Sequence, residues 1–340
     1  MKTLLFLSTF IIYFQANGQW AGAMIDPLTQ NNLSDRVNQQ CIDIDLTNKL
    51  HVVYSREVPG SGQNIFYTKR DLNSVWTVEE NITSQIAGNP VVVASDLTDD
   101  AYVAYDAIDS IDKEIYICLN AGGIWNCTQI TRNLLDDITP SVAIDSSGNL
   151  HLTWVTKISN SNYKISYATN LSGSIQIQNI NISLPGQFGS GASPKIDVEK
   201  NGIAHIVYRG NNGNGYRIHH LYNSSPGGTT WKLEYITTPN DEDLTSAIEV
   251  DKNSVVHILV TGDDCFGCTS RAFYQNKNLT DSMFSGAADV APSFVVSSGD
   301  LFVDKNNIPN FVLNEVSGNI FTGNIIYAAS TNWNVIFIDK

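Results

Sequence analysis

The feature that most constrains this chain is a six-fold internal repeat. Residues 140–154 read PSVAIDSSGNLHLTW: an alternating run reaches Asp145, a polar turn follows, and a second run carries His151 and Trp154. The same order returns in CIDIDLTNKLHVVY, VVVASDLTDDAYVAY, KIDVEKNGIAHIVY, AIEVDKNSVVHILV and LFVDKNNIPNFVL. The acids are Asp45, Asp96, Asp145, Glu199, Asp251 and Asp304, spaced 51, 49, 54, 52 and 53 residues apart. Six positions after each acid stands His51, Tyr102, His151, His205, His257 or Asn310. A period near 50 residues marks a closed or stacked repeat fold rather than a chain of separate domains.

Each repeat divides into four short runs. In the third they are PSVAID, LHLTW, YKISYATN and SIQIQNI. The runs are rich in Val, Ile, Tyr, Phe and Trp, and Gly, Asn, Asp and Ser bound them, which is strand and turn chemistry. Four antiparallel strands per unit, six times over, predict an all-β six-bladed β-propeller of four-stranded antiparallel blades. The expected blades are 39–86, 87–138, 139–190, 191–243, 244–292 and 293–340. A blade cannot bury both faces of its sheet alone, so the ring supplies the core. The fourth run often opens with a tryptophan (Trp76, Trp125, Trp231, Trp333), read as packing between blades. Blade five, with NLTDSMFSGAADVAPSFVVSSG, offers no clean fourth strand.

The first residues have the form of a secretory leader: Lys2, an apolar core from Leu4 to Phe14, and the small-residue site Ala16-Asn17-Gly18. Residues 1–18 are read as a signal peptide and 19–38 as an N-terminal segment. No later stretch is apolar enough to predict a transmembrane segment. The expected location is therefore secreted and extracellular. The net charge of −14 excludes a nucleic-acid binder, which needs a basic surface, and suits neutral or cationic ligands. Of five cysteines, Cys118 and Cys127 flank a hairpin and Cys265 and Cys268 form CFGC. Both pairs are expected as disulfides in an oxidising compartment, with Cys41 left as a buried thiol.

The pattern of P-x-hydrophobic-x-Asp, Gly, His and Trp, followed by I-x-Tyr and a further Trp, resembles the sialidase-like propellers with BNR, or Asp-box, repeats. PSVAIDSSGNLHLTW…KISYATN and YNSSPGGTTW carry that resemblance. SSPGGTTW (residues 224–231) keeps the Gly and Thr-Trp of an Asp-box but lacks its Asp. VAIDSSGNLHL also resembles the NHL-type six-bladed repeats. Either resemblance implies the same fold. Sialidase chemistry would need an arginine cluster, an activated tyrosine and an acid. The chain has seven arginines (Arg36, Arg56, Arg70, Arg132, Arg209, Arg217, Arg271), and only Arg56 and Arg209 are candidates for one mouth. A non-catalytic member is expected.

The acid–His pairs Asp45/His51, Asp145/His151, Glu199/His205 and Asp251/His257 invite a catalytic reading. Repetition argues against it, because one active site needs one such pair. A buried imidazole needs a hydrogen-bond partner, and the turn acid provides it. The loops after each second strand differ between blades, and binding residues concentrate on such loops. Their first charged residues, Arg56, Asp106, Lys157, Arg209, Asp263 and Glu315, are the candidate ligand contacts. His219 and His220 join them, because other blades carry apolar or tyrosine residues there. Acid clusters such as DLTDD and DAIDSID follow no EF-hand spacing, so neither a metal nor a cofactor is expected. The function predicted is a secreted binding or adhesion module for carbohydrate or another surface polymer, its partner being a carbohydrate or an extracellular protein surface. A polysaccharide-active enzyme and a structural extracellular subunit are the alternatives.

Overall fold

A computed structural model describes residues 11–16, 19–24, 40–45, 47–73, 75–83, 85–94, 100–159, 162–178, 180, 192–211, 215–239, 242–263, 270–278, 280–317, 320–329 and 334–337. Six four-stranded sheets follow one another along the chain, and in each the strands pair antiparallel in sequence order. The protein is an all-β six-bladed propeller.

Blade one pairs Ile42–Ile44, Leu50–Val58, Gly62–Arg70 and Glu80–Asn81. Blade two pairs Ala87–Ala94, Ala101–Ile108, Lys113–Ala121 and Ile124–Gln129. Blade three uses Asp137–Ile144, Leu150–Ser159, Asn162–Thr169 and Gln176–Gln178, and blade four Lys195–Val198, Ala204–Asn211, Tyr216–Asn223 and Trp231–Tyr235. Blade five has Glu242–Val250, Val256–Asp263, Ser270–Lys277 and a two-residue fourth strand, Ala288–Asp289. Blade six has Val296–Val303, Pro309–Ser317, Ile320–Ala329 and Asn334–Phe337. A further two-stranded sheet pairs Ile11–Ala16 with Gln19–Met24. Among the described residues no helix is long and apolar enough to cross a membrane.

The core lies between the sheets. Val53, Ile65 and Tyr67 of blade one pack on Val92, Val103 and Tyr105 of blade two. Val155, Ile165 and Tyr167 of blade three pack on Ile206, Tyr208, Leu221 and Trp231 of blade four. Two tryptophans act between blades as expected: Tyr67 meets Trp125 edge-on at 4.8 Å, and Tyr167 meets Trp231 at 5.0 Å. Trp76 instead forms an isolated bridge with Arg70 and packs against Leu50, Val52 and Tyr54 on blade one's other face. Trp333 lies outside the described residues. Cys118 and Cys127 stand directly opposite across the blade-two hairpin and form a disulfide. Cys41 is a free, buried thiol. Cys265 and Cys268 lie outside the described residues, as does Asp96.

Candidate functional site

The repeated acid holds its own turn. One oxygen of Asp145 accepts the backbone N–H groups of Ser147 and Asn149, both at 2.9 Å. Asp45 does the same for Thr47 and Lys49, Asp251 for Asn253 and Val255, and Asp304 for Asn306 and Ile308. A residue three positions past each of these acids, and past Glu199, has the left-handed conformation: Asn48, Gly148, Gly202, Ser254 and Asn307. The acid's short side chain thus substitutes for backbone partners where the chain reverses.

The second oxygen faces the histidine. The Nε2-to-carboxylate distance is 3.2 Å at His51, 3.7 Å at His151, 3.0 Å at His205 and 3.6 Å at His257. All four histidines occupy one register position, opposite Asp43, Ala143, Asp197 and Glu249 of their first strands. Each ring's other nitrogen has a partner on the third strand. The hydroxyls of Tyr67, Tyr167 and Tyr274 lie 2.8, 2.7 and 2.7 Å from Nδ1 of His51, His151 and His257. In blade six the hydroxyl of Tyr327 donates to Oδ1 of Asn310. The repeat unit is therefore acid, imidazole and phenol across three strands, and in blades one and three the phenol's ring packs on the next blade's tryptophan. The histidines are buried and shared among the blades. Burial pulls the His151 pKa down to about 4, and Asp145 only partly opposes this. The tyrosines are the members that spacing alone missed. Their signal was the I-x-Tyr on the third strands of blades one, three and six; in blade five Ala272 takes the place of the Ile.

His220 fills the tyrosine position of blade four. Its Nε2 is 3.0 Å from Nδ1 of His205, and its Nδ1 is 3.1 Å from Glu234. It is thus part of the repeat. His219 points to the opposite face, wholly buried, stacked on Tyr208 at 5.1 Å and edge-on to Tyr235. Among the described residues neither of its ring nitrogens has a hydrogen-bond partner.

The loops after the second strands and the entries to the first strands share one end of the ring. Contacts between them show this. Arg209 pairs with Glu242 at 2.8 Å and donates from Nε to the Asp243 carbonyl at 2.6 Å, bridging blades four and five. Asp106, wholly buried, accepts from Asn89 at 2.5 Å, Lys113 at 2.9 Å and the Thr139 backbone of blade three at 3.1 Å. Lys157 lies 3.4 Å from Asp136, and the Ser270 hydroxyl donates to Asp263. Glu315 sits opposite Val296 near the end of its strand. Arg56 turns to Glu79 of its own blade at 2.8 Å. The candidate rim residues thus line one end but are held largely by local partners, and Arg56 and Arg209 each bind a carboxylate of their own.

Two features add to this face. Asn89, Thr139 and Ser193 have φ of 49°, 52° and 31°, each directly before a proline, the first two at the bulges of their first strands and the third just ahead of Lys195. Such strain, greatest for a β-branched threonine, persists only where the surroundings enforce it. Ile108, Ile111, Leu134 and Ile158 also stand exposed on connections at this end.

On blade one, the Tyr54 hydroxyl donates to Glu79, and Arg56 stacks over Tyr54 and Phe66 at 5.1 and 4.9 Å. Burial would raise the Glu79 pKa, but Arg56 and Tyr54 outweigh it and hold it below the ordinary value. Along the first strands, burial and the charges of Asp197, Asp43 and Asp300 from three other blades push Glu249 well up. Burial pulls Lys195 down to about 8 and pushes Cys41 up to about 12. Among the described residues no group of three or more His, Cys, Asp or Glu side chains is placed to hold a metal.

The fold is similar to solved sialidase and polysaccharide-lyase propellers at low identity. The NanB sialidase from Streptococcus pneumoniae superposes with a TM-score of 0.57 and 10% identity, over 97% of this chain and 70% of that one. The polysaccharide lyase Uly1 gives 0.52 and 10%, over 96% and 94%. A protein of unknown function from Dyadobacter fermentans DSM 18053 gives 0.56 and 10%, over 84% and 96%. No protein-family model matches the chain, and no curated protein matches its sequence. At this identity the likeness establishes the fold alone.

Proposed function

We propose that this propeller is a secreted binding or adhesion module that engages a carbohydrate or another surface polymer through the loop end of the ring. The observation that carries the reading is the composition of that rim. Exposed Ile108, Ile111, Leu134 and Ile158 share it with charged side chains already neutralised by their neighbours, on a scaffold of six packed sheets. The Arg209 guanidinium lies 4.0 Å over the Tyr216 ring, a flat polar surface of the kind a sugar face can stack on. The net charge of −14 favours a neutral or cationic polymer over a polyanion. The leader-like first 18 residues support export.

A polysaccharide-active enzyme is the second reading, favoured by the Tyr54–Glu79–Arg56 group, in which a phenol is hydrogen-bonded to a carboxylate beside a cation. A glycan array separates the readings when paired with incubation of the protein with anionic polysaccharides. Binding to a neutral glycan, lost in Ile111→Asp or Arg209→Ala with the melting temperature kept, supports the module. Product release abolished by Tyr54→Phe would replace it with the enzyme.

A further inference from the structure

We infer that the chain Glu199–His205–His220–Glu234 in blade four holds one proton more than two neutral imidazoles supply, and that this proton makes the junction of blades four and five a pH-sensitive latch. The links are Glu199 to His205 Nε2 at 3.0 Å, His205 Nδ1 to His220 Nε2 at 3.0 Å, and His220 Nδ1 to Glu234 at 3.1 Å. The two rings lie within 4° of parallel. From the far side, Lys277 of blade five donates to the other oxygen of Glu234.

The count of protons follows from the chemistry of the groups. Each hydrogen bond needs one proton, so three links need three. Ionised carboxylates bring none, and two neutral imidazoles bring one each. With only two protons, two nitrogen lone pairs face each other or a lone pair faces a carboxylate. The third proton makes one imidazolium, shared between the rings. The other blades do not need it. In blades one, three and five a tyrosine stands where His220 stands here, and the phenol and the neutral imidazole bring one proton each. Replacing that tyrosine with a histidine brings the same single proton but adds a third link, to Glu234, that needs one of its own.

Charge points the same way. Glu199, Glu234 and Lys277 sum to −1, and the added proton brings this buried group to zero. Burial acts against an imidazolium and, set against the help of Glu234, leaves His220 near 4. The alternative is a hydrogen bond lost inside a group with net negative charge, which costs more than a paired, neutralised cluster. The groups facing the pair are Glu199, Tyr222 and Glu234 of blade four and Lys277 and Phe284 of blade five, with Lys232 over the outer side of Tyr222.

A proton held in the fold and absent from the unfolded chain stabilises below the ordinary imidazole pKa. That stability is lost as pH rises from about 6.5 to the folded value, with the folding equilibrium constant falling about tenfold per pH unit in that window. Urea unfolding of the full chain between pH 6 and 9 tests this against His220→Tyr, which restores the repeat triad. The unaltered protein should show this alkaline loss in excess of the variant. Histidine ¹⁵N shifts at pH 7 should show three protonated nitrogens across His205 and His220. Equal pH slopes, or two neutral rings in the ¹⁵N spectrum, would overturn the inference. If His220→Tyr does not fold, the spectrum of the unaltered chain decides alone.

Discussion

The hydroxyl of Tyr167 lies 2.7 Å from Nδ1 of His151, while the opposite nitrogen of that ring faces Asp145 at 3.7 Å. One imidazole is therefore hydrogen-bonded to the third strand of blade three and lies beside the acid of the turn between its first two. Through the Tyr167 ring it also supports Trp231 of blade four.

This tie should register in stability. His151→Ala leaves a cavity and an unpaired phenol in a buried site, at a cost of about 2–4 kcal/mol. Tyr167→Phe removes one hydrogen bond and keeps the ring, at about 1 kcal/mol. In urea unfolding the double variant should lose less than the sum of the two, because both substitutions break the same contact. Glycan binding of the folded His151→Ala protein should be unchanged.

The same histidine sets an acid limit. Its folded pKa, near 4, lies below the ordinary value of 6.5. Above about pH 6.5 both states are neutral and the group is silent. Between about 6.5 and 4 the unfolded chain takes up a proton that the fold refuses, and stability falls by about 3 kcal/mol. Burial lowers His257 in the same direction. His151→Asn copies the Asn310–Tyr327 pairing of blade six and should flatten this acid limb in a series of melting temperatures from pH 7 to 4.

Much of this was legible because repetition turns one chain into six readings of the same structure. Tyr102 and Asn310 in the histidine position already argued for a structural role, and the Asx turns follow from an acid placed before a reversal. That His220 belongs to the repeat was not legible, for a physical reason. Sequence spacing marks which positions correspond, but not that an imidazole can take over a phenol's place in a hydrogen-bond chain. The rim was legible only as a set of loops. That Asp106 turns inward while Ile111 turns outward depends on packing between blades two and three, which no local pattern encodes.

Glu249 should oppose folding at neutral pH. Burial and three carboxylates from other blades raise its pKa above the ordinary 4.5. A raised folded value means that its favourable contribution is present below about 4.5 and is lost as pH climbs through the folded pKa. Glu249→Gln keeps the shape and removes the charge. Its melting temperature should exceed that of the unaltered protein at pH 8 and match it at pH 4. A variant less stable at pH 8 would show that a counter-charge already neutralises the group.

Asp106 is a candidate ligand contact, and we propose from its geometry that it acts as a clamp. The carboxylate is wholly buried and accepts from Asn89, Lys113 and the Thr139 backbone, so it joins two blades across the strained entry of blade three. Asp106→Ala strands these donors, at a cost of about 2–4 kcal/mol. Asp106→Asn keeps one acceptor oxygen and should cost less. Ile111→Asp, at an exposed tip on the same blade, should leave the melting temperature almost unchanged. Thermal unfolding beside glycan binding distinguishes the two roles. Asp106→Ala should lower the melting temperature by several degrees, with any lost binding recovered at a temperature where the variant is folded. An Asp106→Ala protein of full stability that no longer binds would return this residue to the ligand site.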